Sequence, residues 1–311
     1  MIPESVLNCH SKAPHLLEET SRHDPMATLS PAGNGAPAVR ALLTGATQGI
    51  GQATARGLCP LVDVLVLHGL EPEAEVQRSL DELRRLSPAT QVVYLSADYG
   101  RLADVGALAE AVQERVGGVE LLINNAGRPG PPSRTVSADG HEVTFQTNYL
   151  APVALTTGLL PALEQADRAR VINVASATHY SARLSLDDLE LEHGYSPVSA
   201  YAHSKLALVT YTCWLARQLD SDRVEAVSLH PGVISTRLLH AMFGAGGDSV
   251  EHGARNIVSL ARRAPGLNGE YFDEDAPARP NPEALDVAKQ DQLVEATARA
   301  LTAARVPAPP R

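Results

Sequence analysis

From Val39 onward, short apolar runs alternate with longer stretches in which apolar residues recur at helical spacing. This alternation is typical of βαβ units, whose parallel strands are joined by helices that cover both faces of a sheet. It predicts one α/β domain with a doubly wound parallel sheet of seven strands. The strands are expected at Val39–Thr44, Val62–Leu67, Gln91–Leu95, Val119–Asn124, Arg170–Ser176, Val224–Leu229 and Glu270–Phe272. The helices are expected at Gly49–Cys59, Pro72–Leu86, Leu102–Val116, Gly140–Leu163, Ser199–Leu219, Val250–Arg262 and Glu283–Ala303.

The two ends of the chain lack this pattern. Residues 1–37 show no apolar periodicity and close on a run rich in glycine and proline, so they are predicted to form a disordered extension. Residues 306–311 form a proline-rich tail. The domain itself is expected to span residues 38–305, and the chain predicts no second domain.

Composition restricts the partners of such a domain. The 36 acidic and 26 basic residues give a net charge of −10, which provides no basic field for nucleic acid or an anionic membrane. No apolar run approaches the roughly 20 residues that a membrane helix needs. The three cysteines, Cys9, Cys59 and Cys213, show no disulfide or metal-ligand pattern. We therefore expect a cytoplasmic protein that acts on a small molecule without a bound metal.

A glycine-rich turn with the spacing Gly-x-x-x-Gly-x-Gly lies between the first predicted strand and the first helix. Glycine allows a tight turn and a close backbone approach, while the free N–H groups and positive dipole of the helix start attract a pyrophosphate. An ordinary glycine-rich loop would look similar, but the strand and helix context favours a dinucleotide site and a Rossmann-type fold. The candidate contacts are Thr44, Gly45, Thr47, Gln48, Gly49, Ile50 and Gly51.

Two further segments follow strands and fit the adenosine part of such a cofactor. Asp98 comes just after the third strand and could accept a hydrogen bond from an adenine amino group, with a helix cap as an equal alternative. Asn125, Ala126 and Gly127 close the fourth strand with mostly small residues. They would let the backbone approach the adenosine ribose, or they would form an ordinary turn.

Tyr201 and Lys205 lie four residues apart near the start of a predicted helix, so their side chains share one face. A phenol has a pKa of about 10, and a nearby ammonium group would lower that pKa toward the range that acid–base catalysis needs. The pair could also be a coincidence of helical spacing. Beside a dinucleotide site, it predicts proton transfer to or from a carbonyl or alcohol.

Asn148 occupies an unfavourable position inside a predicted helix, and Pro152 follows it by four residues. Because the proline supplies no N–H group to the carbonyl of Asn148, the helix should kink there and leave an acceptor free. We expect this carbonyl to hold a water molecule that bridges to Lys205. The alternative is a kink that serves packing alone.

These motifs, in this order, resemble the short-chain dehydrogenase/reductase family from about Val39 to Ala303. The likeness rests on the glycine turn, Asn124–Gly127, Asn148, Ser176, Tyr201-x-x-x-Lys205 and Pro231-Gly232-x-x-x-Thr236. Within the family, the chain looks most like the branch of the retinol dehydrogenases and WW-domain oxidoreductases. The resemblance implies hydride transfer to or from a nicotinamide, bulky alcohol or ketone substrates, and a possible homo-oligomer.

The resemblance also implies roles for single residues. Ser176 would polarise the substrate oxygen, and Tyr201 would act as the acid or base. Lys205 would lower the pKa of that tyrosine, and Asn148 would organise the proton relay. The residues that would hold the nicotinamide are Tyr201 and Lys205 together with Pro231, Gly232, Val233 and Thr236.

The end of the second strand bears on the choice of dinucleotide. His68 stands where family members that prefer NAD carry aspartate, and Gly69 stands where many that prefer NADP carry arginine. No acidic residue lies between Val64 and Leu70 to repel a 2′-phosphate, and a protonated His68 could face that phosphate. We therefore expect a weak preference for NADP(H) over NAD(H).

The predicted reaction is the reduction of a ketone or aldehyde in a bulky apolar substrate. Two alternatives stay open at this point. The same fold could carry out an epimerisation, dehydration or cyclisation without net redox change, or it could serve as a non-catalytic module that senses NAD(P). A net change in nicotinamide absorbance during turnover would distinguish the oxidoreductase from both.

Overall fold

Eight strands form one sheet in the computed structural model, which describes residues 38–244 and 246–310. The strands are β1 (Arg40–Leu43), β2 (Val64–Gly69), β3 (Gln91–Ser96), β4 (Leu121–Asn124), β5 (Ala169–Val174), β6 (Val224–His230), β7 (Tyr271–Asp273) and β8 (Ala276–Ala278). Their order along the sheet is β3-β2-β1-β4-β5-β6-β7-β8, and every pair up to β7 is parallel. The predicted extension over residues 1–37 lies outside the described residues.

The predicted doubly wound parallel sheet is confirmed, but the predicted number of seven strands is wrong by one. β8 pairs antiparallel with β7 at the edge of the sheet and is three residues long, with Pro277 at its centre. A proline within a short run argues against a strand because it cannot donate a ladder hydrogen bond. An edge strand tolerates it because one side of an edge has no partner strand.

Helices cover both faces of the sheet, as predicted. They are α1 (Gly49–Leu58), α2 (Glu73–Leu86), α3 (Leu102–Val116), α4 (Val143–Phe145), α5 (Ala151–Gln165), α6 (Pro197–Gln218), α7 (Arg237–Phe243), α8 (Val250–Arg262) and α9 (Val287–Ala303). On one face, α1, α2 and α8 bury their apolar sides in the smaller of two hydrophobic cores. On the other face, α3, α5, α6 and α9 cover the larger core. None of the described helices is long and apolar enough to cross a bilayer.

The segment between α4 and α5 departs from α-helical geometry. Residues Gln146–Leu150 form a π-helical turn, in which the N–H of Ala151 donates to the carbonyl of Gln146. Pro152 occupies the first turn of α5, where a missing N–H group is tolerated. The irregularity lies where the kink was predicted, and it takes the form of a π turn in place of a bend within one continuous helix.

The carboxyl ends of the strands border a crevice in which a ligand can bind. The strand order reverses between β1 and β4, which are parallel neighbours with Leu43 opposite Ile123. In open α/β sheets the chain departs in opposite directions on the two sides of such a reversal, which leaves a crevice beyond the carboxyl ends of the strands. The loops that follow β1 and β4 therefore face each other across this crevice.

Candidate active site

A cleft of about 850 Å³ is lined by the loops that follow the carboxyl ends of the first six strands. This volume lies within the range typical of cofactor and small-molecule sites. Of the site residues predicted from the sequence, all except Thr44 and Asn148 line the cleft. The fold thus brings together segments that are up to about 190 positions apart in the chain.

The glycine turn has the geometry that a pyrophosphate site requires. Gly45 and Gly49 adopt positive φ angles of 64° and 56°, which favour glycine. A Cβ atom on Gly51 would lie 1.9 Å from the carbonyl oxygen of Gly45, so the close approach of helix and turn excludes any side chain there. Helix α1 has no acidic residue in its first turn and no side-chain cap. Its N–H groups and positive dipole therefore remain available to an anion.

Hydrogen bonds of Thr44 and Asn125 join the glycine turn to the loop after β4. The Thr44 hydroxyl accepts hydrogen bonds from the backbone N–H groups of Asn125 and Ala126, both at 3.0 Å. The side-chain amide of Asn125 donates to the carbonyl of Thr44 at 2.9 Å. Thr44 is fully buried. It fixes the relative position of the two loops and does not line the cleft.

His68 lies in the cleft wall, but its ring does not have the predicted charge. The side chain is 3% exposed, and its ring stacks on Tyr99 with centroids 4.6 Å apart. Nε2 is 3.1 Å from the carbonyl oxygen of Ala97, and Nδ1 accepts from the N–H of Gly45 at 3.4 Å. This pattern is that of a neutral imidazole. Burial lowers the pKa of His68 to about 4, so the expectation of a protonated ring that faces a phosphate is corrected.

Glu71 is a site residue that the sequence reasoning missed. Its side chain folds back over Gly69, where a Cβ atom would lie 3.1 Å from Oε2 of Glu71. Glu71 lines the cleft, and its Oε2 is buried without a hydrogen-bond partner among the described residues. The backbone is held in place because Tyr94 donates to the carbonyl of Glu71 at 2.6 Å. The available signal was an acidic residue two positions past the strand, whereas the cofactor prediction rested on the segment from Val64 to Leu70.

Of the two roles that the sequence left open for Asp98, the helix cap is not observed, and the hydrogen bond to adenine stays a prediction. Asp98 lines the cleft at the adenosine side. One carboxylate oxygen accepts from the N–H of Gly100 at 2.8 Å, which closes a local turn. The residue before helix α3 is Arg101, so Asp98 is not itself the cap of that helix.

Tyr201 and Ser176 form the reactive end of the cleft. Tyr201 is 7% exposed and lies one turn into α6. Ser176 follows β5, and its hydroxyl accepts from the N–H of Thr178 at 3.3 Å, which leaves its proton available to a ligand. Burial raises the pKa of Tyr201 to about 12, although the interaction with Ser176 opposes this shift. The prediction of a lowered tyrosine pKa is therefore wrong for this state, because burial outweighs the hydrogen bond with Ser176.

Lys205 is buried directly beneath the tyrosine. Its Nζ lies 5.8 Å from the centroid of the Tyr201 ring and donates to the carbonyl of Val174 at 2.8 Å. Burial lowers the pKa of Lys205 to about 8. A lysine with this pKa exists in both protonation states near neutral pH. It can therefore hold or pass on a proton, which an ordinary surface lysine does poorly at that pH.

Asn148 acts through its side chain. Its Oδ1 accepts from the N–H of Arg128 at 2.8 Å, and its Nδ2 donates to the carbonyl of Arg128 at 3.0 Å. Nδ2 also donates to the hydroxyl of Ser204 at 3.0 Å, on the helix that carries Tyr201. Asn148 is fully buried and does not line the cleft. It ties the loop after β4 to α6, and the water held by its carbonyl stays a prediction.

The loop after β6 closes the cleft from the other side. Gly232 has a φ of 104°, which favours glycine. The hydroxyl of Thr236 accepts from the N–H of Leu239 at 3.2 Å and so caps helix α7, which the sequence did not predict. A Cβ atom on Gly49 would lie 3.8 Å from the Thr236 methyl group. The loop after β6 and the glycine turn thus lie close to each other across the cleft.

The arrangement fits a nicotinamide dinucleotide. The open glycine turn and uncapped helix would hold the pyrophosphate, and the small residues Ala126 and Gly127 leave room for a ribose. At the far end, Ser176 and Tyr201 present two hydroxyl groups to one region of the cleft, with Lys205 behind them. Among the described residues, no group of three or more His, Cys, Asp or Glu side chains is arranged to hold a metal ion.

Comparison with known proteins identifies the family. The family model for short chain dehydrogenases matches residues 40–244. Polyprenol dehydrogenase of Mus musculus is 35% identical over 276 residues, which cover 81% of this chain and 81% of the relative. Retinol dehydrogenase 12 of Homo sapiens is 32% identical over 245 residues, which cover 75% of this chain and 77% of the relative. Retinol dehydrogenases are thus among the similar proteins, as the sequence predicted.

Solved structures share the fold. An uncharacterized protein from Mycobacterium paratuberculosis superposes with a TM-score of 0.71 at 27% identity, over 92% of this chain and 98% of its own. An NADPH-bound carbonyl reductase from chicken fatty liver superposes with a TM-score of 0.63 at 24% identity, over 82% of this chain and 99% of its own. At this identity, the second likeness concerns the fold alone.

Proposed function

This chain belongs to the short chain dehydrogenase family, and we propose that it reduces a ketone or aldehyde with a nicotinamide dinucleotide. One observation carries the proposal: a buried tyrosine with an elevated pKa lies between the hydroxyl of Ser176 and a buried lysine, at the far end of a dinucleotide cleft. When bound, the reduced nicotinamide supplies a hydride to the carbonyl carbon. The residues of the chain then have to supply the proton and stabilise the oxygen.

The protonation states favour the reducing direction. With a pKa of about 12, Tyr201 carries its proton at neutral pH and is ready to donate it to the oxygen of a carbonyl. The hydroxyl of Ser176 can donate a hydrogen bond to the same oxygen and draw electron density away from the carbon. After the proton leaves, the ammonium group of Lys205 lies near enough to stabilise the phenolate and to return a proton.

The lining of the cleft supports a substrate with a bulky apolar body. Beside the reactive hydroxyls lie Val198, which is 41% exposed, and the aliphatic side chains of Leu238 and Leu239. An apolar substrate would cover this surface and exclude water from the reacting groups. The similar proteins include a polyprenol dehydrogenase and a retinol dehydrogenase, whose names indicate long apolar alcohols as substrates, and this agrees with the lining.

The expected weak preference for NADP(H) loses its support at His68. The ring is buried and neutral, so it supplies no positive charge for a 2′-phosphate. The carboxylate of Glu71 lies at the same end of the cleft with a free oxygen, and a carboxylate there would bind ribose hydroxyls and repel a phosphate. We therefore propose NAD(H) as the preferred cofactor.

The proposal is tested by following nicotinamide absorbance with a panel of aldehydes and ketones, including retinal and aryl ketones, with NADH and with NADPH. We expect oxidation of the reduced cofactor by the wild type and its loss in Tyr201→Phe. Substrate conversion without a net absorbance change would instead indicate an epimerase, dehydratase or cyclase. Tight cofactor binding without conversion of any carbonyl would indicate a non-catalytic sensing module.

A further inference from the structure

The loop after β4 fixes one arginine at the reactive end of the cleft. The backbone of Arg128 exchanges two hydrogen bonds with the buried amide of Asn148, at 2.8 and 3.0 Å. That amide also binds Ser204 on α6. The position of Arg128 relative to the catalytic helix is therefore set by a buried network, although the residue lies in a loop.

The same loop is wedged against the start of α6. A Cβ atom on Gly130 would lie 2.3 Å from the carbonyl oxygen of Pro197, the first residue of that helix. Pro197 is four residues before Tyr201. A Cβ atom on Gly127 would lie 3.5 Å from Nζ of Lys205. The backbone of Arg128 thus lies between a residue that faces Lys205 and a residue that packs on the start of α6.

The guanidinium group of Arg128 differs from those of two other half-buried or buried arginines, Arg40 and Arg170. Arg40 pairs with Glu120, and Arg170 pairs with Glu225 and also donates to backbone carbonyls. Arg128 is half-buried and lines the cleft, yet its Nε is buried without a hydrogen-bond partner. It forms no ion pair within 4.0 Å with any residue that the structure describes. A buried N–H group of a cation without a partner is costly, and native proteins rarely leave one unexplained.

We propose that Arg128 binds an oxyanion group of the substrate, a carboxylate or a phosphate. This inference rests on the proposed function and narrows its substrate to an amphiphilic carbonyl compound. The planar guanidinium group offers parallel N–H donors that match the two oxygens of such an anion. The exposed aliphatic side chain of Val198 lies on the same wall of the cleft and would contact the apolar body of the substrate.

The test uses matched pairs of ketones that differ only in charge. The probes are the series from 3-benzoylpropanoate to 6-benzoylhexanoate, their methyl esters and the corresponding phosphonates. The series varies the number of methylene groups between ketone and anion, so that one member matches the distance from Tyr201 to Arg128. Dissociation constants are measured by calorimetry with saturating oxidised cofactor, a complex that cannot turn over the ketone. Values of kcat/KM are measured separately with the reduced cofactor.

We expect the best acid or phosphonate to bind the wild type about 10-fold or more tightly than its ester, because charge-assisted hydrogen bonds carry this much affinity. Carboxylate and phosphonate arms then tell which oxyanion is preferred. In Arg128→Gln, the acid should bind no better than the ester, with ester binding unchanged. Arg299→Gln, which removes an exposed arginine in an i,i+4 ion pair, is the matched control for net charge and should keep the preference.

Three results would overturn the proposal: equal binding of acid and ester to the wild type, no binding of any probe, or an equal loss of ester and cofactor binding in Arg128→Gln. The last would mean that Arg128 serves the cofactor or the loop. If Arg128→Gln does not fold, Arg128→Lys, which keeps the charge, takes its place. The ratio of ester to acid dissociation constants in the wild type then decides. Selective binding of the acid without any reduction would leave this inference standing and would contradict the proposed function.

Discussion

The two ends of the cleft are built by opposite means. At the pyrophosphate end, function depends on atoms that are missing: a Cβ atom on Gly45 or Gly51 would collide with neighbouring backbone atoms, and Gly45 and Gly49 adopt positive φ angles. At the reactive end, function depends on side chains that are buried at a cost, since burial shifts the pKa of both Tyr201 and Lys205 away from its ordinary value. The first end is shaped for binding and the second for proton transfer.

Each end also leaves one charged side chain incompletely bonded. Glu71 keeps a buried carboxylate oxygen without a partner near the adenosine side, and Arg128 keeps a buried guanidinium nitrogen without a partner near the reactive side. The structure describes carboxylate partners for other half-buried arginines such as Arg40. The two groups have opposite charge, and we propose that the first selects the cofactor and the second the substrate.

Tyr201→Phe is expected to give the largest effect, a loss of turnover at the reactive end with cofactor binding at the other end retained. The variant loses the proton donor but keeps a ring of nearly the same size, so kcat should fall by about 10²- to 10⁴-fold. Cofactor affinity, measured by fluorescence titration, should change less than about threefold. Tyr211→Phe is the control, because Tyr211 is a buried tyrosine on the same helix that does not line the cleft. A Tyr201→Phe enzyme with near wild-type kcat would show that the proton comes from another group.

The converse separation is expected from Gly51→Ala. The added methyl group would lie 1.9 Å from the carbonyl oxygen of Gly45, so the turn must open and cofactor affinity should fall at least about 10-fold. Gly57→Ala on the same helix is the control, since its methyl group meets only the side chain of Val258, at 3.0 Å. The pH dependence of kcat at saturating cofactor should not change. Unchanged affinity in Gly51→Ala would contradict the assignment of the pyrophosphate to this turn.

The sequence predicted the elements of the fold where the pattern is local. Helices α3 and α8 begin and end at the predicted residues because their apolar periodicity stops at clear signals, such as Gly117, which adopts a left-handed cap. Strand β8 was missed because three residues around a proline carry no pattern. The π turn at Gln146–Leu150 was predicted only as a kink, since its form depends on packing against α6 and the loop after β4.

The sequence predicted the site's positions better than its charges. Of the residues predicted from motif spacing, all but Thr44 and Asn148 line the cleft, because most of them follow a strand end. The neutral state of His68 depends on how completely the fold buries its ring, which stacks on Tyr99 about thirty positions away, and pattern analysis cannot connect these two residues. The elevated pKa of Tyr201 likewise depends on how completely the fold buries the ring. Contacts between distant segments decide protonation, and a motif does not record them.

A third experiment measures the energetic cost at the reactive end. The pKa of Lys205 falls from 10.5 to about 8 on folding, so between these values the unfolded chain binds more protons than the folded one. The contribution of this residue to the free energy of unfolding should therefore rise as the pH rises from 8 to 10.5. The destabilisation caused by burying the charged ammonium group is fully present below pH 8. The free energy of unfolding of the wild type, relative to Lys205→Met, should increase by on the order of 1 to 3 kcal/mol over this range.

Urea denaturation of both proteins at pH 7 and pH 10 provides the comparison. Tyrosines and cysteines that titrate in this range are common to both proteins, so their contributions cancel in the difference. Parallel pH dependence of wild type and Lys205→Met would mean that the buried lysine has an ordinary pKa. The contrast between a costly reactive end and a pyrophosphate end without buried charge would then fail.

The smallest expected effect is at the adenosine end, in Glu71→Gln. The amide keeps the shape of the side chain and can still bond to a ribose hydroxyl, but it no longer repels a 2′-phosphate. The ratio of the NADPH to the NADH dissociation constant should therefore fall by about 10-fold, the effect of about one like-charge contact in partly screened surroundings.

Glu73→Gln is the matched control, because Glu73 is an exposed acid two residues further on, in the first turn of α2. If both variants shift the ratio equally, general charge near the cleft selects the cofactor. If neither shifts it, the carboxylate that folds over Gly69 does not contact the ribose. A shift confined to Glu71→Gln, unchanged between pH 6 and pH 8, would show that this carboxylate selects the cofactor and that His68, neutral throughout that range, does not.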